Sequence, residues 1–188
     1  MSSDETIFPV YILSRVVQGI KEHCKKEAPK EALGVLVGYK RQYNGKLFTK
    51  VIDWATGRVT SSSVFAKFNY EGILDYRLFI KERYGNKKAP SIVGIYHSHP
   101  FGHIPDFSST DFELFFTPIY AGVGNVFILV DPLIDVFRVF TFQKDCEGEI
   151  TFQEVDWCEY EPYYNPEDQR NNLSQFESRE GEEKDVTR

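Results

Sequence analysis

His97 and His99 stand one residue apart, and Ser108 and Asp111 follow as a Ser-x-x-Asp pair, all within the stretch GIYHSHPFGHIPDFSSTD that runs from Gly94 to Asp111. His103 and Asp106 lie in the same stretch, so three of the four histidines of the 188-residue chain are gathered there. Side chains alternate across a strand, so a His-x-His pair on a strand aims both imidazoles at one point and turns the middle residue, Ser98, to the other face, where it is structural. Two converging imidazoles suit zinc, which takes nitrogen ligands at about 2.0–2.1 Å. A catalytic zinc has roughly three protein ligands and leaves a fourth place to water, so a third ligand is needed nearby. Asp111 is the best candidate, with Asp106 and His103 as the other options. Taken singly, each half has a plainer origin: Ser108 and Asp111 also spell a helix capping box, and most isolated His-x-His pairs are surface groups.

The elements that must position these residues can be read from the flanking patterns. SIVGIY is a short apolar run rich in β-branched residues after Pro90, the signature of a buried strand that ends at the histidines, with Pro100 fitting a strand end. DFELFF suits a short helix starting near Asp111, and NVFILVDP a second buried strand. Upstream, Leu13, Val16, Val17, Ile20 and Cys24 recur at helical spacing, predicting an amphipathic helix from about Pro9 to Glu27 that Pro29 stops. EALGVLVGYKRQY and KLFTKVIDW read as two strands joined by Asn44-Gly45, a dipeptide that suits a type I′ turn. ATGRVTSSSVFAK is polar and weakly patterned, a flexible segment or edge ribbon. Tyr70, Ile73, Leu74, Arg77 and Leu78 mark a second helix, with Asn69 as its N-cap and Gly85 as its stop. DVFRVFTFQ and EITFQEV form a closing antiparallel pair around a turn at Asp145–Gly148. The order of elements predicts an α+β domain, a mixed β-sheet flanked by helices.

Composition limits the function classes. The length suits one core, and apolar residues at 41% with 16 Phe and 11 Tyr supply ample material for it. A formal charge of −6 argues against nucleic acid as a partner, since phosphate binding needs a concentrated positive surface. Much of that charge lies in the C-terminal tail from Glu161, so residues 1–162 are expected to form the domain and 163–188 an acidic, flexible tail. Cys24, Cys146 and Cys158 are odd in number and far apart, with no Cys-x-x-Cys pair, which indicates neither a disulfide framework nor a zinc finger. The N-terminus does not read as a signal peptide and no window reaches the apolar length of a membrane span, so a soluble cytoplasmic protein without a membrane partner is expected.

HSHP followed by SSTD resembles the JAMM motif of the MPN+ zinc metalloproteases, the deubiquitinase-like isopeptidases, and is similar to that of the proteasome-lid deubiquitinase and its prokaryotic relatives. That family adds a glutamate shortly before a glycine-bearing strand, and PKEALGVLVG supplies it as Glu31, with Gly34 and Gly38 following. VFILVDP also resembles the strand after the motif in that family. The resemblance covers roughly Tyr11 to Phe152 and implies an MPN domain, of the cytidine-deaminase-like kind. One departure stands out: Phe101 to Phe107 is one residue longer than the family's spacing between proline and serine, and the extra residue is expected to bulge the loop.

The resemblance implies a mechanism. His97, His99 and Asp111 would hold Zn2+, Glu31 would act as general base and then acid, and Ser108 would donate a hydrogen bond to the oxyanion. His103 and Asp106 become loop polar groups, and Gly34 and Gly38 either plain strand glycines or points of close backbone approach. The implied reaction is removal of ubiquitin or a ubiquitin-like modifier from lysines, with such conjugates as substrate and an MPN-domain or proteasome-like subunit as a possible partner. Trp54 to Phe65 matches the place of the family's mobile flap, which could add a strand to the modifier's extended tail. Two other functions use the same fold: a non-catalytic MPN scaffold module in a larger complex, which typically loses the ligands, and a zinc peptidase acting on sulfur-carrier protein adducts. A zinc nucleoside deaminase is disfavoured, because Pro-Cys-x-x-Cys is absent.

Overall fold

Among the described residues eight strands hydrogen-bond into one mixed sheet, and one of them carries His97 near its end, with His99 just beyond it. The computed structural model describes residues 7–56, 59–62, 65–68, 70–85, 89–115 and 122–162. The elements are β1 (Val10–Leu13), α1 (Ser14–Glu27), β2 (Leu33–Tyr43), β3 (Lys46–Ala55), β4 (Val59–Ser62), β5 (Phe65–Phe68), α2 (Tyr70–Tyr84), β6 (Ser91–Ser98), α3 (Ser109–Phe115), β7 (Val126–Asp131), β8 (Val136–Lys144), β9 (Ile150–Glu154) and β10 (Trp157–Tyr160). The strand order is β10-β1-β3-β2-β6-β7-β8-β9. β1 runs parallel to both β3 and β10, and β6 runs parallel to β7, while the other neighbours are antiparallel. β4 and β5 pair with each other as a separate two-stranded ribbon.

The central strands are covered on both faces, which is why they read as apolar runs rather than as alternating ones. On one face Val126, Ile128, Val130 and Tyr96 pack with Val16, Val17, Ile20 and Cys24 of α1. On the other, Phe127, Leu129, Ile95 and Leu33 pack with Tyr76 and Ile80 of α2 and with Phe107. The α+β sheet between helices predicted from the sequence is therefore the fold observed. Among the described residues no helix is long and apolar enough to cross a membrane.

Several local expectations hold for stated reasons. Asn44 and Gly45 both adopt positive φ, 48° and 77°, as a type I′ turn demands. Gly85, at φ 67°, closes α2 by donating its N–H to Lys81 O at 3.0 Å. The turn between β8 and β9 is fastened by the Asp145 carboxylate, whose Oδ1 accepts from the N–H groups of Glu147 and Glu149. The polar ATGRVTSSSVFAK segment contains β4 and all but the last residue of β5. Asn69 and the acidic tail, residues 163–188, lie outside the described residues.

The first helix is a correction. Val10–Leu13 is a strand, and α1 begins only at Ser14. The helical spacing of Leu13 to Cys24 ran on from a four-residue strand whose pairing comes from Thr49–Val51 on one side and Trp157–Tyr160 on the other. Those partners are far away in sequence, so no local pattern announces them.

Candidate metal centre

β6 delivers His97 and Ser98, and the chain continues straight enough for His99 to keep the alternation. His97 lies opposite Leu33 of β2 and Leu129 of β7, and the His99 N–H donates to Val130 O at 2.9 Å. The two imidazoles stand edge to face with centroids 4.8 Å apart, both buried. Ser98 points to the α1 side, as strand alternation requires. Its Oγ accepts the Ala32 N–H at 2.7 Å, and its own N–H donates to Ala32 O at 2.9 Å.

Two buried carboxylates face the imidazole pair. Asp111 Oδ1 is 3.3 Å from His97 Nε2, and its Oδ2 is 3.3 Å from His99 Nε2. Glu31 stands beside both rings as well, with Oε2 3.4 Å from His97 Nε2 and Oε1 3.9 Å from His99 Nε2. The structure thus brings together all four of the residues that the sequence analysis assigned to the zinc and its base. One ligand atom from each of Glu31, His97 and His99 lies within 4.8 Å of the others, a group that could hold a metal ion.

The donor set fits a metal on an observation of its own. His97 Nε2 is buried, and no described residue makes a hydrogen bond to it. A buried ring nitrogen without a partner is costly, and such groups call for an ion or another unseen ligand. Burial also drives the His97 pKa down to about 4, against the pull of Asp111, so the ring is held neutral and its nitrogen lone pair is free to ligate.

The carboxylates differ sharply. Burial pushes the Glu31 pKa up to about 7, with His99 opposing and Asp111 adding to the rise. Burial would also raise Asp111, but the bond toward His99, the charge that His97 takes on only in acid and two bonds from Ser108 together hold it at about 2. Both Ser108 bonds run to Oδ2, one from the hydroxyl and one from the backbone N–H, each 2.7 Å. In return the Asp111 N–H donates to Ser108 Oγ at 3.2 Å. This is a complete capping box at the start of α3, so the plainer reading of Ser-x-x-Asp is true as well, and it is the same box that turns the aspartate toward the histidines.

The remaining polar groups of the stretch stay outside the centre. His103 is exposed and its ring lies 5.8 Å from that of Phe101, while Asp106 is exposed and its Oδ1 accepts its neighbour's N–H, from Phe107, at 2.9 Å. The longer loop is pinned at both ends. Phe101 and Gly102 donate their N–H groups to Asp131 Oδ2 at 3.2 and 2.7 Å, and Phe107 is buried against Phe140 and Phe152. Between those anchors the chain turns outward, with Gly102 at φ 75° and Ile104 73% exposed.

Asp131 and Arg138 are the supporting residues that sequence reasoning missed. Asp131 is fully buried and its Oδ1 also accepts from Leu133, so one carboxylate ties the loop after His99 to the turn after β7. An aspartate closing an apolar strand before Pro132 was the available signal. Arg138 donates to Pro105 O and makes a two-pronged pair with Glu154, Nε to Oε1 at 3.0 Å and Nη2 to Oε2 at 2.6 Å. No local pattern points to it. The glycines resolve as close approaches: a side chain at Gly34 would run into the Tyr96 ring, and one at Gly38 into Lys50 O.

Comparison with known proteins follows the same lines. A family model described as prokaryotic homologs of the JAB domain matches residues 13–142. Among curated proteins no match is found. Among solved structures, the solution structure of a protein from Desulfitobacterium hafniense is similar at a TM-score of 0.56 and 18% identity, covering 83% of this chain and 99% of the other. At that identity the likeness is one of fold.

Proposed function

Since the chain belongs to the family of prokaryotic homologs of the JAB domain, we propose that it is a zinc-dependent isopeptidase that removes ubiquitin or a ubiquitin-like modifier from lysine side chains. The observation that carries this reading is the buried, unbonded Nε2 of His97, set among His99, Asp111 and Glu31. A scaffold without a metal would have reason to replace such a nitrogen by an apolar group, because its burial costs stability.

His97, His99 and Asp111 are the zinc ligands in this reading: a pair of imidazoles and a carboxylate that its hydrogen bonds keep ionised. Bound zinc supplies Lewis acidity, polarising the scissile carbonyl and making water acidic enough to attack at neutral pH. Glu31 takes the proton of the attacking water and returns it to the departing lysine amine. A carboxylate shifted toward neutral pH by burial suits both halves of that task. Ser108 donates to the oxyanion; its hydroxyl hydrogen, now given to Asp111 Oδ2, has only to rotate. The β4–β5 ribbon offers strands against which an extended modifier tail could order by strand addition. The cytoplasm is the proposed compartment.

The test is to incubate the purified protein with conjugates of several ubiquitin-like proteins and with sulfur-carrier adducts, with and without a chelator. Release of the modifier that the chelator abolishes is expected. Metal-loaded protein that cleaves none of them would favour the scaffold.

A further inference from the structure

We infer that Ser98, the residue between the two histidines, is a positioning residue: it clamps Ala32 to the end of β6 and so holds the neighbouring Glu31 carboxylate over the imidazole pair. The inference rests on the role of Glu31 as the base, proposed above.

The sheet pairing of β2 with β6 begins at Leu33, opposite His97. Glu31 and Ala32 lie just before it, where no ladder fixes them. Ser98 supplies the missing constraint twice over. Its Oγ takes the Ala32 N–H at 2.7 Å, and its own N–H reaches Ala32 O at 2.9 Å. Both bonds are sealed from solvent, since Ser98 is fully buried and Ala32 is 2% exposed. The backbone bond would survive in any residue, whereas the one to Oγ belongs to the hydroxyl. Without it a buried N–H is left with no acceptor, and the segment must shift to find one.

Strand alternation makes the arrangement economical. His97 and His99 project to the metal side while Ser98, between them, projects to the α1 side. There it lies beside the Cys24 thiol of α1, which is itself fully buried. One short segment thus fixes the two ligands and, through Ala32, the carboxylate that must stand beside them. Glu31 Oε2 is 3.4 Å from His97 Nε2. A displacement of about 1 Å at such a distance can cost on the order of 10²-fold in rate.

The test compares Ser98→Ala, Ser98→Thr and the parent. Ser98→Ala is expected to keep one metal per chain and an unchanged KM while kcat falls by about ten- to a hundredfold. The Ala32 amide should exchange its hydrogen at least about tenfold faster, because its acceptor is gone. Ser98→Thr retains the hydroxyl and should restore both. A merely structural serine would act alike in any background, so the deciding step is a double-mutant cycle: in Glu31→Gln protein, Ser98→Ala should cost almost nothing further. An undiminished cost in that background, or an Ala32 amide as protected as in the parent, overturns the clamp. Should Ser98→Ala not fold, Ser98→Cys, similar in size and a weak acceptor, takes its place. If the parent cleaves no conjugate, the proposed function fails. The exchange rates and the Glu31–His97 distance in crystals of parent and variant then still decide the clamp.

Discussion

Glu31 and Asp111 are two carboxylates facing the same pair of imidazoles, one at the approach to β2 and the other in the first turn of α3. Asp111 is held by a capping box, with two donors from Ser108 on one oxygen, and is kept ionised. Glu31 is buried to 4% exposure, and burial is the leading influence on it, so its proton affinity rises to about 7. On the proposed roles, hydrogen-bond supply, more than distance to the histidines, is what would separate the ligand from the base.

The most damaging change to that picture should be at the ligands. His97→Ala or Asp111→Asn is expected to remove the metal and with it all measurable turnover, with metal content per chain as the check. Retention of full metal by Asp111→Asn, together with metal loss in Glu31→Gln, would exchange the roles of the two carboxylates. Next in size comes Glu31→Gln itself. It should fold, keep its metal and lose on the order of 10²-fold or more in turnover, because an amide cannot accept the proton. Single-turnover hydrolysis near the parent rate would remove Glu31 from the chemistry.

Ser108→Ala tests what the capping box contributes. Loss of the cap should cost about 1 kcal/mol of stability. Turnover should fall further than melting temperature or metal content implies, since the oxyanion donor goes with it. A change in stability alone would leave Ser108 as a cap only.

The smallest effect sharpens the comparison by supplying an exposed carboxylate. The Arg138 hydrogen bonds hold Glu154 below its usual pKa. Its folded pKa is the lower one, so the stability it contributes is present above the unfolded value of about 4.3 and is lost as pH falls through the folded value. The Glu154 side chain is 48% exposed, so solvent screening limits the pair to at most about 1 kcal/mol. Glu154→Gln should therefore melt slightly below the parent at neutral pH and level with it in acid. A gap that widens in acid would contradict the assignment.

Much of this was legible locally. The His-Ser-His alternation at the end of an apolar run predicted two converging imidazoles, because the period of a strand is a property of the backbone. Ser108 and Asp111 predicted both a cap and an inward carboxylate, and the structure shows them to be one feature. Asn44-Gly45 and Gly85 marked their turns through the backbone angles those residues favour. The resemblance of PKEALGVLVG singled out Glu31, which no periodicity could have done.

What escaped the sequence depends on partners far along the chain. Val10–Leu13 is a strand because Thr49–Val51 and Trp157–Tyr160 lie on either side of it, and its own residues carry only the run-on of a helical pattern. The path of the longer loop was set by Asp131 and Arg138, and by Phe140 and Phe152 against which its own Phe107 packs, all of them far beyond its outward turn. The pairing of Ser98 with Ala32 joins residues 66 apart. By itself the sequence determined which side chains could ligate and which way each would face on its own element. Only the tertiary structure decided that Glu31 and Asp111 would both stand beside the histidines, Glu31 with its pKa raised by burial and Asp111 supplied with donors by Ser108, because that depends on which backbone and side-chain groups burial brings within reach.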